Sequence, residues 1–319
     1  MLDFSMAQAS LGAIVPIYAT IFVGWLVRRL GWMNPVADSS FMKMAIDVSL
    51  PCFILFNMLG NEKLKSVPFS LAAISIGAAG MAGCLAIAWL ASKALSLKKG
   101  DGQRTFIVTT GVHNYGFFII SMIAILYPDP SDPLLGLVFT HNVGCDLVFW
   151  SAGFLLISQA SKFSFRMFAR GPIVVVFAAL LLTWTGAADW VPQAAKNTLK
   201  LIGGCAIPLN LFMFGNLLYD FGGGGEVRIK VIAAAVAVRM LAIPALFLAA
   251  AYFLDIDYAL KELLVFQALA PCGVTAAVLA KHFGGFPKMS VHITIATCAA
   301  AIVTLPLWIS IGFSLIGRE

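Results

Sequence analysis

The most polar stretches inside the long apolar runs of this 319-residue sequence are Thr109 to Gly116 and Gln267 to Thr275. Both contain residues that interrupt helices. Pro271 lacks an N–H, while Gly116 and Gly273 permit backbone angles that other residues resist. A break inside a membrane is tolerated only where it faces protein or a watery cavity. The candidate substrate-binding residues in these stretches are Asn114, Tyr115, Gly116, Pro271, Cys272, Gly273 and Thr275.

Each break exposes backbone N–H groups where the second half of its helix begins, near Tyr115 to Phe118 and near Cys272 to Thr275. Helix starts of this kind attract anions. If the two breaks cross at the centre of the membrane, two positive helix ends flank one cavity that suits a carboxylate or another small anion. The alternative is that Pro and Gly merely kink two ordinary helices.

Two charged residues, Asp146 and Arg239, lie deep inside apolar runs. Each costs about 2.5 to 3.5 kcal/mol at the centre of a bilayer, so each is a functional hypothesis by default. Asn142 lies four residues before Asp146 and shares its helix face, so both are candidate substrate contacts. Two interpretations stay open. Either Asp146 lines the cavity and exchanges a proton during transport, or it forms a buried structural pair with Arg239.

Three further side chains extend the candidate site. His113 adjoins the first break and would couple transport to protons, or it is a neutral histidine satisfied by a neighbour. Asn57 and Asn210 each follow a helix proline within two turns. They either supply amide contacts to the substrate or hydrogen-bond between helices, as membrane asparagines commonly do.

The composition defines the setting of these residues. Charged residues make up 11% of the chain and hydrophobic residues 61%, against roughly a quarter charged in soluble domains. The apolar runs have the length of about 20 residues that a membrane helix needs, so we expect an all-α integral membrane protein. The net charge of +6 is scattered over short loops, which excludes nucleic acid as a partner. The segment before Ser10 has no basic residue, so we expect the first helix to stay in the mature protein.

Residue spacing also excludes several kinds of chemistry. The six cysteines stand singly in apolar stretches without a C-x-x-C pair, so neither a disulfide framework nor a metal site is expected. No Ser/His or Cys/His arrangement typical of a nucleophilic enzyme is present, and no cofactor is expected. The sequence therefore predicts a protein that is not an enzyme.

Apolar runs and their polar breaks predict ten transmembrane helices, numbered 1 to 10 along the chain. They cover Leu11–Leu30, Met42–Leu59, Val67–Leu90, Gln103–Tyr127, Leu134–Ile157, Pro172–Thr185, Thr198–Tyr219, Val231–Leu254, Leu260–His282 and Met289–Ile311.

The second five helices repeat features of the first five. Leu50-Pro51 in helix 2 matches Ile207-Pro208 in helix 7, and the two breaks occupy equivalent places in helices 4 and 9. Two repeats of five helices are inserted with opposite topology, as in many transporters. We expect them at residues 1–160 and 168–319. Lys and Arg concentrate after helices 1, 3, 5, 7 and 9, which predicts that both termini face away from the cytoplasm.

The sequence resembles the auxin efflux carrier family of membrane transport proteins, which includes bacterial carriers of malonate and malate. The resemblance covers nearly the whole chain. It rests on the order and spacing of Arg28-Arg29-Leu30-Gly31, Leu50-Pro51, Asn114-Tyr115-Gly116, Asp146 to Trp150 and Ala270-Pro271-Cys272-Gly273.

The resemblance implies crossed helices 4 and 9, a scaffold of helices 1, 2, 6 and 7 that dimerises, and a moving core of helices 3–5 and 8–10. It places substrate contacts at Asn114, at Asp146 and at the helix 9 break. Plant members look different at the helix 5 position, where an amide replaces Asp146, and this departure weighs against auxin. Bile acid sodium symporters are more distantly similar. The glutamate of their sodium site is replaced here by Thr109, which weighs against that site.

The resulting hypothesis is a secondary transporter of small mono- or dicarboxylates in the inner membrane, working as an elevator. The coupling ion is expected to be H⁺, with Na⁺ left open. The alternatives are an exporter of auxin-like or other amphipathic carboxylates, a sodium-coupled symporter of the bile acid type, and a channel or membrane sensor.

Overall fold

The computed structural model describes residues 4–129, 132–158, 171–222 and 226–317, and their regular structure is helical apart from one isolated β-bridge. Helix is present in each of the ten predicted segments, which we label α1 to α10. Their parts are α1 Phe4–Arg29; α2 Pro35–Lys43, Met44–Ser49 and Leu50–Met58; α3 Val67–Ala94; α4 Gln103–Gly111, Tyr115–Ile119 and Ile120–Leu126; α5 Leu134–Val148, Phe149–Gly153 and Phe154–Ser158; α6 Gly171–Trp184; α7 Gln193–Gly203 and Ala206–Gly222; α8 Ile229–Ala237, Val238–Ala242 and Ile243–Phe253; α9 Tyr258–Leu269 and Thr275–His282; and α10 Pro287–Ile316.

Seven helices within these described ranges are long and apolar enough to cross a membrane, and they lie in α1, α2, α3, α5, α7, α8 and α10. Tyr115–Leu126 in α4 and Gly171–Trp184 in α6 are shorter apolar helices. The chain is therefore a multi-pass membrane protein. The number of ten crossings, the inverted repeat and the orientation of the termini stay predictions. The junction between the predicted repeats, with Lys162, Arg166 and Arg170, lies outside the described residues.

Helix starts follow the usual capping chemistry. The side chain of Asn34 accepts a hydrogen bond from the N–H of Ala37 at the start of α2, at 2.9 Å. Asp257 caps α9 in the same way, accepting from the N–H of Ala259 at 2.9 Å. These oxygens satisfy N–H groups that have no partner within the helix.

Glycines bring two pairs of helices into backbone contact. A Cβ at Gly144 of α5 would lie 1.9 Å from the carbonyl oxygen of Ile74 in α3, and one at Gly77 would lie 2.1 Å from that of His141. Gly24 and Gly215 play the same part between α1 and α7. Small residues permit the close packing that holds membrane helices together. These contacts fix α5, and with it Asn142 and Asp146, against α3.

Four π-helical turns interrupt the regular α-helices among the described residues. They cover Met44–Ser49, Tyr115–Ile119, Phe149–Gly153 and Val238–Ala242. Each adds a residue to the turn and changes which side chains face the neighbouring helices, and such turns are common at functional sites. The turn in α8 contains Arg239. The turn in α2 contains Asp47.

The Arg28-Arg29-Leu30-Gly31 motif joins the ends of three helices. The guanidinium of Arg28 donates to both carboxylate oxygens of Asp220 in α7, at 2.6 and 2.7 Å, and its Nη2 lies 3.0 Å from Asp38 in α2. Gly31 follows in the left-handed region at φ 73°, where glycine is favoured. The motif therefore ties α1, α2 and α7 together.

Candidate functional site

The predicted breaks in α4 and α9 are both present, and they meet. The first half of α4 ends at Gly111, and the first half of α9 ends at Leu269. Between them the backbones pair in an antiparallel bridge of His113 with Cys272. The N–H of Asn114 donates to the carbonyl of Pro271 at 2.8 Å, and the N–H of Gly273 donates to the carbonyl of Val112 at 3.3 Å. Each break thus supplies partners for polar backbone groups of the other.

The backbone N–H groups at the start of the second half of α4 are not all free, contrary to the prediction. The Oδ1 atom of Asn114 accepts from the N–H groups of Phe117 and Phe118, at 3.2 and 3.3 Å. A side-chain cap therefore already satisfies two of the donors expected to face an anion. The amide nitrogen of Asn114 has no hydrogen-bond partner in the described part of the chain. Asn114 therefore offers an N–H donor rather than an open helix end.

The second half of α9 starts without a side-chain cap. The N–H of Cys272 donates to the hydroxyl of Thr297 at 3.2 Å, and that of Gly273 is used by α4. The N–H groups of Val274 and Thr275 have no acceptor among the described residues. Of the predicted donors from Cys272 to Thr275, the last two are therefore the ones available to a ligand.

Neither break depends on an unusual glycine conformation, contrary to the sequence-based argument. Gly116 and Gly273 are absent from the glycines with positive φ. A Cβ at Gly116 would meet nothing within 4 Å, and one at Gly273 would meet only ordinary contacts at 3.7 Å and beyond. The breaks arise instead from Pro271, from the cap at Asn114 and from the backbone bridge.

A cavity of about 400 Å³ opens beside the crossing. It lies between α2 and α6 on one side and α4, α5 and α9 on the other. Of the predicted residues it brings together His113, Asn114, Tyr115, Gly116, Asn142, Asp146, Gly273 and Thr275. Its wall contains five aromatic side chains: Tyr115, Phe117, Phe139, Phe149 and Trp150.

The carboxylate of Asp146 lies on the cavity wall and contacts α4. The hydroxyl of Tyr115 donates to its Oδ1 at 2.5 Å. Asn142, one turn earlier, donates from its amide to the carbonyl of Tyr115 at 3.3 Å. Asn142 and Asp146 therefore share one face of α5, as predicted, and both hydrogen-bond to Tyr115 at the start of the second half of α4.

A buried row of polar side chains connects α4, α9 and α5. The Nε2 of His113 lies 2.7 Å from Oε1 of Gln267 in α9, and the amide nitrogen of Gln267 lies 3.5 Å from Nδ1 of His141 in α5. All three side chains are at most 1% exposed. With Gln267 Oε1 as the acceptor, the proton of His113 is on Nε2. His113 is therefore held by a neighbour, as one of the two interpretations expected.

Arg239 is fully buried in the π-helical turn of α8. Nε, Nη1 and Nη2 all lack a hydrogen-bond partner in the described part of the chain. The ion pairs between described residues do not join Arg239 to Asp146, so the expected structural pair is not present. Its ionisable neighbours include the thiols of Cys84 and Cys272 and the ring of His113.

Four predicted substrate residues lie outside the cavity lining: Asn57, Asn210, Pro271 and Cys272. The amides of Asn57 and Asn210 donate to carbonyls one turn earlier in their own helices, each at 2.8 Å. Pro271 and Cys272 contribute through the backbone of the crossing. The asparagine prediction relied on distance from a proline, which does not determine the direction of a side chain.

Sequence reasoning missed three residues of the site. Asp47 lines the cavity from α2 and lies within the π-helical turn Met44–Ser49. His141 and Gln267 form the buried row with His113. The polarity of Gln267 in the middle of a helix, and of adjacent His141 and Asn142, was the available signal.

Interrupted helices that cross beside a cavity in a multi-pass membrane protein define a membrane transporter. The model of the membrane transport protein family matches residues 9–167 and 171–309, which is nearly the whole chain. The chain belongs to this family, that of the auxin efflux carriers. No curated protein matches it. Its family is a transporter family and not an enzymatic one.

Proposed function

We propose that the protein is a secondary transporter of small organic anions, with mono- or dicarboxylates such as malonate or malate as the leading class. The observation that carries this proposal is the uncapped start of the second half of α9 on the cavity wall. The N–H groups of Val274 and Thr275, with the amide of Asn114, supply donors for one carboxylate. Backbone N–H groups at a helix start suit an anion.

The position of the cavity supports a mechanism of alternating access. One wall comes from α2 and α6, which belong to the proposed scaffold, and the other from α4, α5 and α9 of the proposed core. Movement of the core past the scaffold would carry the site across the membrane as an elevator. A homodimer through α1, α2, α6 and α7 in the inner membrane completes the proposal, with two inverted repeats and both termini outside the cytoplasm.

Thermal-shift measurements on the purified protein test the anion site. The panel contains malonate, malate, lactate and indole-3-acetate, each beside its neutral amide. A ligand that binds only the folded state adds about 2.7 kcal/mol of stability at a hundred times its Kd. We expect carboxylates to raise Tm and the matched amides to leave it unchanged. Absence of stabilisation by every carboxylate would overturn the proposal.

We further propose that Asp146 exchanges a proton during the cycle. A carboxylate beside an anionic substrate repels it unless protonated or paired. Asp146→Asn is expected to abolish substrate-dependent proton flux in liposomes while keeping substrate counterflow. Undiminished proton flux in this variant contradicts the coupling role. Sodium coupling predicts instead that flux depends on a sodium gradient.

The apolar lining favours a second candidate, a larger amphipathic carboxylate of the auxin type. Five aromatic side chains and a volume of about 400 Å³ suit a ligand with a ring better than malonate. Greater stabilisation by indole-3-acetate than by malonate decides for this candidate. Counterflow, in which internal substrate accelerates uptake, separates either transporter from a channel or sensor.

A further inference from the structure

The guanidinium of Arg239 forms no ion pair with a carboxylate among the described residues, and the thiol of Cys84 is one of its neighbours. Arg239 is 0% exposed, and its three guanidinium nitrogens have no hydrogen-bond partner among the described residues. A guanidinium keeps its proton in proteins, so the charge stays. A buried charge without a partner costs several kcal/mol, and a folded protein retains one where it has a use.

Arg239 lies close to residues of both breaks that form the crossing. The π-helical turn that contains it packs against α3, α10 and the first half of α4. Its ionisable neighbours include His113 in the α4 break and Cys272 in the α9 break. Cys272 directly precedes Gly273 and Val274, which line the cavity. Arg239 itself does not line the cavity, whereas Gly273 and Val274 do.

The cavity wall itself has the opposite charge. Its described lining contains the carboxylates of Asp47 and Asp146 and neither Lys nor Arg. The donors that reach a bound carboxylate there are neutral, namely the amide of Asn114 and the N–H groups at the start of α9. Arg239 is a cation that interacts with His113 and Cys272 of the crossing.

We propose that Arg239 holds the substrate anion at the crossing by its electric field, without touching it. This inference rests on the proposed function. Arg239 is a positioning residue. Its charge makes the electrostatic potential positive at the crossing, near Cys272 and His113, where little water screens it. Two unit charges about 10 Å apart at an effective dielectric constant of about 20 change affinity about fifteenfold. A field of this kind attracts any carboxylate and does not select among them.

The first test removes the charge. Arg239→Gln is compared with Arg239→Lys, which keeps it, by measuring the Kd of the best carboxylate of the thermal-shift panel. We expect Arg239→Gln to weaken binding about tenfold or more and Arg239→Lys to remain within threefold of the wild type. Equal affinity of Arg239→Gln and the wild type overturns the inference.

The second test keeps Arg239 and cancels its field, so it remains decisive if Arg239→Gln does not fold. Cys84 lies beside the guanidinium, and Cys84→Asp would place a carboxylate there. We expect Cys84→Asp to weaken substrate binding as Arg239→Gln does, while the neutral control Cys84→Asn retains it. Unchanged binding in Cys84→Asp contradicts the inference.

The outcomes separate the two proposals. If no carboxylate binds the wild type, both the proposed function and the role of Arg239 are overturned. If carboxylates bind the wild type, Arg239→Gln and Cys84→Asp alike, the proposed function stands and the role of Arg239 is overturned. A parallel loss in both charge-cancelling variants supports both.

Discussion

The interruption in α4 is closed by its own side chain, whereas the interruption in α9 is left open toward the cavity. Asn114 caps the N–H groups of Phe117 and Phe118 with its oxygen. The second half of α9 has no such cap, and Val274 and Thr275 keep their donors. The two breaks are joined by the same backbone bridge but present different chemistry.

Under the proposed function, this difference gives the two breaks different roles in binding. If both helix starts were open, two sets of unsatisfied donors would lie side by side, at a cost for each one without a ligand. Closing the α4 start with Asn114 stabilises the empty site. The amide nitrogen of Asn114 keeps its donors without a partner among the described residues, and Asn114 lines the cavity. Under the proposed function, an anion binds at the open start of α9 in the place of a cap.

The largest expected effect separates the two functions of Asn114. Asn114→Asp keeps the capping oxygen but loses the amide donor and adds a negative charge. We expect wild-type thermal stability and about a hundredfold weaker carboxylate binding, because a hydrogen bond to a charged group contributes about 1.5 to 3 kcal/mol. Asn114→Ala loses the cap as well and is expected to unfold more easily by about 1 kcal/mol. Thermal melts and Kd values measure both, and unchanged binding by Asn114→Asp would remove this residue from the site.

The next effect concerns the N–H of Cys272 at the α9 break, which donates to the hydroxyl of Thr297. Thr297→Val leaves the buried N–H of Cys272 without its acceptor, which costs about 1 to 3 kcal/mol of stability. Thr297→Ser retains the hydroxyl and serves as the control. We expect a lower Tm for the valine variant and little change in Kd at a temperature where both are folded. A large change in Kd with an unaltered Tm would place this N–H among the ligand donors.

A smaller effect tests the open donor directly. Val274→Pro removes the N–H of residue 274, and proline tolerates the φ of −77° found there. One lost hydrogen bond to a carboxylate weakens binding about tenfold. Val274→Ala changes the side chain and keeps the N–H. If the proline variant binds as tightly as the alanine variant, the start of α9 does not hold the anion.

The smallest effect is expected from the glycines at the breaks. Gly116→Ala and Gly273→Ala meet no steric obstacle and have ordinary φ values, so each is expected to change stability by less than about 1 kcal/mol. Gly144→Ala, whose Cβ would lie 1.9 Å from the carbonyl of Ile74, is expected to be strongly destabilised. Thermal melts of the three variants make the comparison. A large loss in Gly116→Ala would restore the glycine explanation of the α4 break.

The sequence allowed the location of both breaks to be predicted, because Pro271 removes a helix donor and polar residues inside an apolar run need a reason to be there. It also indicated Asn114 and Asp146 as candidate substrate contacts, and both line the cavity. The transporter family followed from the order of these motifs. What made these features predictable is that they depend on residue type within a single helix.

Features that depend on contacts between helices were not predictable in the same way. Asn114 was expected as a donor, and its second function as a cap required the local turn geometry. The π-helical turn around Asp47 carries no sequence signature, so its place in the cavity was missed. The side-chain amides of Asn57 and Asn210 donate to their own helices, because a carbonyl one turn earlier is within reach of each.

The bridge between His113 and Cys272 has a consequence for the order in which the chain matures. The α4 segment enters the membrane long before α9 is synthesised, so the N–H of Asn114 and the carbonyl of Val112 have no backbone partners during that interval. Each exposed group costs several kcal/mol in hydrocarbon. The first half of the protein is therefore expected to remain dependent on water, on lipid head groups or on the insertion machinery until the second half arrives.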